Sequence, residues 1–261
     1  NRGLTLEDAR EYNIIGCVEP QKSGKTNGWH DAAFFNMCRP LELVFANGMD
    51  KGVQVGIQTG DVTKMNTFDE FYDAYKKQME YCISLMVNAD NAIDVAHAER
   101  CPLPFLASMV DDCLTRGLTA EQGGAVYNFT GPQGFGIANM ADSLYAIRKL
   151  VYEDKKVSME TYKEALAWNY DKGLDERSVA DMAEMILKGM QDAGMTVNEG
   201  TAKAVLQTVM RLKPSDEQIQ KFTELHDMID EVPKFGNAID DVDYFARRCC
   251  IYLYTSASEI S

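Results

Sequence analysis

Apolar residues follow two rhythms along this chain, and the change of rhythm divides it. From Ser158 onward the pattern is helical only, in segments at 158–169, 175–192, 199–211, 215–231 and 239–254. Before that, helical stretches alternate with short apolar runs of strand length. The pattern predicts a mixed strand-and-helix segment over 1–152 and a helical segment over 153–261.

In the first segment, Thr5 can cap a short helix over 5–11, with Asp8 in the favourable first turn. Tyr12 to Val18 reads as a buried strand, and 20–31 as a polar loop containing glycine. Ala32 to Ala46 has helical length, with Pro40 placed to break or restart it and Asn47-Gly48 to end it. Val53 to Ile57 suits a short strand. Thr67-Phe68-Asp69-Glu70 is a capping box, and it opens an amphipathic helix with Phe68, Phe71, Tyr72, Tyr75, Met79, Cys82, Ile83 and Met86 on one stripe. Pro102 to Arg116 reads as a helix closed by Gly117, Val126 to Phe129 as a strand, Gly131 to Gly136 as a tight turn, and Ile137 to Tyr152 as a helix. In the second segment, Ser215-Asp216-Glu217-Gln218 is another capping box, and the methionines at 182, 185, 190, 195 and 210 read as helix core.

Composition narrows the function. A hydrophobic fraction of 46% over 261 residues is that of an ordinary globular chain with a sizeable core. The net charge of −14 argues against a nucleic-acid partner, because phosphate binding needs clustered Lys and Arg. No apolar run approaches the roughly 18–20 residues of a membrane span, and the N-terminus has no signal-peptide core. The seven cysteines form no C-x-x-C pair, and none of the three histidines stands at zinc-ligand spacing with them. Scattered reduced thiols suit a cytoplasmic protein better than a disulfide framework, and no metal site is expected.

Three segments carry unusual polar content: Cys17 to Asp31, Asp90 to Arg100, and Tyr127 to Gly134. In an extended backbone, residues two apart face the same side, so Cys17 and Glu19 would share one space with Val18 turned away. A thiol beside an acid–base group suits an active site. A buried structural thiol suits the same triplet, since free Cys is among the most buried residue types. His30-Asp31 keeps a Cys–His nucleophilic reading open. His97 with Glu99 and Arg100 fits either a catalytic cluster or a polar network that braces loops. The glycines at 124, 131, 134 and 136 do not match G-x-G-x-x-G, and Gly24-Lys25-Thr26 lacks the earlier glycine of a phosphate-binding loop.

Five stretches together resemble the glycyl radical enzymes, in that family's order. They are Gly16-Cys17-Val18-Glu19-Pro20, Gly28 to Asn36 (Gly-Trp-His-Asp-Ala-Ala-Phe-Phe-Asn), Ala96-His97-Ala98-Glu99-Arg100, Gly123-Gly124-Ala125 with Tyr127 to Gly134, and Lys234-Phe235-Gly236-Asn237. The stretch at about 173–214 looks like an insertion relative to commoner members. The resemblance implies an α/β fold, part of a ten-stranded barrel of two antiparallel half-barrels wrapped in helices, with a helix-rich C-terminal part. It implies that Cys17 is the thiyl residue that takes hydrogen from a small substrate, and that Glu19 beside it is the general acid or base. Asp31 is implied to touch substrate, and His30 and Phe34 to line the same loop. No cofactor is expected to be bound in the chain itself. The radical is implied to be installed on a glycine by an activating enzyme that uses S-adenosylmethionine and an iron–sulfur cluster.

That glycine sits in an Arg-Val-Ala-Gly-Tyr-like segment in the family, and nothing here resembles it. The chain is therefore expected to be an internal fragment or truncated product, silent alone even with the activating enzyme. Its expected partners are that enzyme, the remaining C-terminal part and, as a full-length parent, a second copy. The Cys17–Glu19 arrangement points to the eliminating branch: a lyase or dehydratase that breaks a C–O, C–N or C–S bond, cytoplasmic or within a bacterial microcompartment. The alternatives are an arylacetate decarboxylase, a pyruvate formate-lyase-type acyltransferase, or a catalytically silent scaffold chain.

Overall fold

The computed structural model describes residues 3–16, 19–29, 31–170, 176–211 and 214–260. In chain order its elements begin with α1 (Leu6–Arg10), β1 (Asn13–Ile15), β2 (Glu19–Gln21), β3 (Thr26–Trp29), β4 (Phe34–Asn36) and α2 (Arg39–Phe45). They continue with β5 (Met49–Asp50), β6 (Val53–Gln54), α3 (Phe68–Arg100), α4 (Pro104–Ala107), α5 (Cys113–Arg116), β7 (Tyr127–Thr130), β8 (Gln133–Phe135) and α6 (Ile137–Ile147). After a π-helix over Arg148–Glu153 come α7 (Met159–Ala167), α8 (Glu176–Asp192), α9 (Glu199–Arg211), α10 (Asp216–Glu231) and α11 (Asp240–Ile260). The chain is a helix-rich α/β fold, and among the described residues its strands pair in four small two-stranded sheets.

The contacts divide it into two compact units that interleave along the sequence. The first comprises Asn1–Asn36, Cys82–Phe135 and Tyr252–Ser261, and the second Met37–Tyr81 and Gly136–Ile251. The 33-residue helix α3 contributes its first half to the second unit and its second half to the first.

The first unit holds six of the strands. β1 and β2 form an antiparallel hairpin, and β3 pairs with β7, and β4 with β8, in parallel. Parallel strands need a long crossover, and helices supply it between β4 and β7. α1 forms as its sequence predicts, because the Thr5 side chain accepts a hydrogen bond from the Asp8 N–H. Its buried Asp8 then takes Lys25 Nζ at 2.8 Å and the Tyr127 hydroxyl at 2.6 Å, which ties the helix to β7 and to the turn before β3. Those bonds hold the Asp8 carboxyl down to about 2.

The strand expected to run to Val18 stops at Ile15, where Gly16 turns the chain at φ +58°. The helix expected over 102–116 is two single turns, interrupted where Asp112 takes φ +74°. Gln133–Phe135, expected within a tight turn, is instead a strand, since Phe34–Asn36 pairs beside it.

In the second unit Pro40 restarts the chain as a helix. It sits in the first turn of α2, where proline's missing N–H costs nothing. The helical expectation for 32–38 gives way to β4 and a turn. Gly48 ends this helix region at φ +78°, and a Cβ there would lie 2.4 Å from the Ile57 carbonyl oxygen. The core is aromatic and aliphatic. Phe71 lies edge-on to Phe45 at 5.6 Å, and Phe245 edge-on to Phe68 at 5.6 Å. Met79, Leu144, Ile147, Phe222 and Leu225 are fully buried. Buried Gln78 is satisfied as an amide should be: it accepts from the Ile57 N–H at 3.2 Å and donates to its carbonyl at 2.6 Å. Ser215 and Gln218 form the reciprocal capping box that opens α10. α8 and α9 pack on one another as a helical hairpin. No helix among the described residues is long and apolar enough to cross a membrane.

Candidate functional site

Glu19 begins the strand that returns from Gly16 and pairs with Ile15. Its carboxylate lies against the Gly16 α-carbon, where a Cβ would meet Glu19 Oε2 at 2.5 Å. Gly16 is thus required twice, for its positive φ and for the close approach. Cys17 and His30 lie outside the described residues.

Glu19 is only 7% exposed. A buried carboxylate is costly unless it is hydrogen-bonded, and Gln133 supplies a bond: its Nε2 donates to Glu19 Oε1 at 2.7 Å. The same nitrogen donates to Asp31 Oδ1. Asp31 is itself exposed, in the short link between β3 and β4. Phe34, 67% exposed, is the register partner of Gln133 in the β4–β8 pair. Register partners in a parallel pair share a face, so Phe34 stands beside Gln133 while Phe35 turns to the buried side. Glu19, Asp31 and Phe34 are therefore gathered around one side chain that the sequence reading did not single out. The available signal was an amide inside a glycine-rich polar run, at a point that proved to be the first residue of a strand.

The second polar segment serves a different purpose. Trp29 and Thr130 are register partners in the β3–β7 pair. The Trp29 ring stacks on His97 at 4.4 Å and 14°, and the Thr130 hydroxyl donates to Asp94 Oδ2 at 2.9 Å. Asp94 and His97 are one turn apart on α3, so two neighbouring strand positions dock on two neighbouring helix positions. These are the residues that flank His30–Asp31 on one strand and Gly131–Gln133 on the other. One turn earlier, burial and then the Asp94 charge push the Asp90 carboxyl up. Glu99 and Arg100 are exposed at the helix end and do not join His97 in a cluster. Among the described residues no three His, Cys, Asp or Glu side chains gather as a metal site would need.

A buried carboxylate at the start of β2 and an exposed one in the link between β3 and β4 thus share one amide donor. The chain belongs to the pyruvate formate lyase-like family, whose profile matches residues 1–260. Its relatives are glycyl radical dehydratases and lyases. A solved structure concerned with 1,2-propanediol dehydration in Roseburia inulinivorans is 55% identical, with a TM-score of 0.93 over 98% of this chain and 30% of that one. The glycerol-bound B12-independent glycerol dehydratase from Clostridium butyricum is 42% identical, with a TM-score of 0.75 over 98% of this chain and 26% of that one. A (2S)-3-sulfopropanediol dehydratase of Klebsiella oxytoca is 39% identical over 171 residues, 65% of this chain and 21% of the relative. The chain thus spans less than a third of the length of these proteins.

Proposed function

We propose that this chain supplies the hydrogen-atom and proton-transfer residues of a glycyl radical dehydratase that acts on a small vicinal diol. The observation that carries the reading is the bridged pair of carboxylates, Glu19 and Asp31, on Gln133. In a diol, one carboxylate receives the proton of the hydroxyl on the reacting carbon, and the other holds the neighbouring hydroxyl. Buried Glu19 takes the first role and exposed Asp31 the second, with His30 and Phe34 lining the same loop.

The chemistry then balances without an external oxidant. Cys17, as a thiyl, takes a hydrogen atom from the carbon that bears the first hydroxyl. Glu19 takes that hydroxyl's proton, which labilises the adjacent C–O bond. The departing oxygen leaves as water with the proton from Glu19, and the carbon radical recovers a hydrogen atom from the Cys17 thiol. Diol becomes aldehyde plus water. A glycyl radical, installed by an activating enzyme with S-adenosylmethionine and an iron–sulfur cluster, supplies the unpaired electron.

The short parallel pairs β3–β7 and β4–β8 are read as part of a ten-stranded barrel, since parallel strands are characteristically covered on both faces within larger sheets. Residues 1–152 form the barrel segment with the Cys loop, and 153–261 the helical segment. The α8–α9 hairpin is the insertion at about 173–214. The propanediol-related structure is 55% identical over 98% of this chain, against 23% over 93% of it for an indoleacetate decarboxylase, and that difference in identity favours diol dehydration over arylacetate decarboxylation. The activating enzyme, the remaining C-terminal part and a second copy are the proposed partners, in the cytoplasm or a microcompartment.

The test is a parallel assay of the full-length protein, activated and offered 1,2-propanediol, glycerol, isethionate and an arylacetate. Aldehyde from the diols alone is expected. Sulfite or a decarboxylated arene in its place would replace this reading with another branch of the family.

A further inference from the structure

Glu19 and Asp31 come from different elements, yet both accept from a single nitrogen. An ionised carboxylate only accepts hydrogen bonds, so the nitrogen end of the Gln133 amide must face them, with one of its two hydrogens directed to each. Hydrogen bonds near 2.8 Å from one such nitrogen set the two acceptor oxygens roughly 5 Å apart. Two carboxylates this close repel when both are charged. A donor shared between them offsets that repulsion, because a hydrogen bond to the charged form favours it.

The amide is also held in place. The Gln133 N–H donates to the Ala33 carbonyl at 2.7 Å, and the residue is locked in register with Phe34. Its position is therefore set by strand pairing, and next to it by the docking of Trp29 and Thr130 on α3. Several charged groups of the neighbouring elements have partners of their own. Lys22 and Lys25, between β2 and β3, pair with Glu11 and Asp8. Asp94 and His97 face the adjoining β3–β7 pair. Cys17 and His30, close in the chain to Glu19 and Asp31, lie outside the described residues.

We propose that Gln133 is the positioning residue of this site: it fixes the spacing of Glu19 and Asp31 and keeps Glu19 ionised and ready to receive a proton. This rests on the reading of Glu19 as the proton-handling group. The proposal needs no turnover to be tested. In the unactivated full-length protein, the Glu19 carboxylate is titrated by infrared difference spectroscopy, its band assigned by its loss in Glu19→Gln. Gln133→Met keeps the length and removes the donor, and Gln133→Glu keeps the shape and adds a third acceptor. The Glu19 midpoint is expected to rise by about one pH unit in Gln133→Met and further in Gln133→Glu. In the activated protein, the acidic limb of kcat/KM for a diol should move upward by the same amount.

An unchanged midpoint in a folded Gln133→Met protein overturns the inference and leaves the dehydratase reading standing. A raised midpoint in a protein that turns over no diol keeps the inference and removes that reading. Should Gln133→Met lose its circular dichroism signature of folding, the midpoint in Gln133→Leu, which also removes the donor without adding a charge, decides in the same way.

Discussion

The two units of this chain are held together by different physics. The second is built on buried rings and aliphatic side chains such as Phe71, Tyr75, Leu144 and Phe222, and its buried amide, Gln78, is fully matched to one peptide group. The first has a small apolar cluster, Ala107, Cys113, Ala120 and Ala125, and its elements are tied by polar side chains: Asp8 on Lys25 and Tyr127, Thr130 on Asp94, and Gln133 on Glu19 and Asp31. Both units leave large apolar side chains exposed, among them Phe34 and Phe105 in the first and Met185 and Met210 in the second. Apolar packing is tolerant of direction, whereas hydrogen bonds fix atoms to within tenths of an ångström. Two carboxylates that share one donor, as Glu19 and Asp31 do, are positioned by contacts of the second kind.

That contrast predicts effects that separate by region. The largest is in the polar unit: Cys17→Ala should abolish product in the activated full-length protein, and Glu19→Gln should lower kcat about 10²–10⁴-fold. Both should leave the melting temperature nearly unchanged by calorimetry. A large drop in stability would show that these residues serve packing instead. Next comes the apolar unit, where Phe71→Ala should cost about 3–5 kcal/mol in denaturant unfolding. The Glu19 titration should stay where it was, and a shifted Glu19 midpoint in that variant would break the separation.

A smaller effect is expected from Thr130→Val, which removes the hydrogen bond to Asp94 and should cost about 1.5–3 kcal/mol, as for a bond to a charged group. Its rate effect should follow Gln133, with a fall in kcat/KM and retained secondary structure. Asp8 gives the acid response of the same unit. Its carboxyl is held down to about 2, so the stability it contributes is fully present above its ordinary value of 3.8 and is lost as the pH falls toward 2. Melting temperatures of wild type and Asp8→Asn should converge across that window. A difference that persists unchanged to pH 2 would count against the ion pair. The smallest effect is at the α10 cap, where Ser215→Ala should cost about 1 kcal/mol and leave activity alone.

Much of the helical architecture was legible because it depends on local signals. Thr5, Ser158 and Ser215 cap helices in the structure, and the Phe71–Tyr75–Met79–Ile83 stripe is buried. What the sequence could not reveal was pairing between distant stretches. Phe34–Asn36 lies in an apolar run of helical length and becomes a strand because Gln133–Phe135 lies beside it. For the same reason Gln133 passed as one polar residue in a glycine-rich turn, although the parallel register makes it the hub of the site. The carboxylates themselves were identifiable from the glycyl radical resemblance, but the bond that unites them spans more than a hundred residues of sequence, and no local pattern encodes it.

The measurement that bears most directly on the account follows one hydrogen atom. The activated full-length protein is given 1,2-propanediol deuterated at C1, and the propanal is examined by mass spectrometry and NMR. Abstraction by the Cys17 thiyl and return from the same thiol predict deuterium carried to C2 of the product, and no product from Cys17→Ala. Propanal without deuterium at C2, or an undiminished rate in Cys17→Ala, would contradict the account.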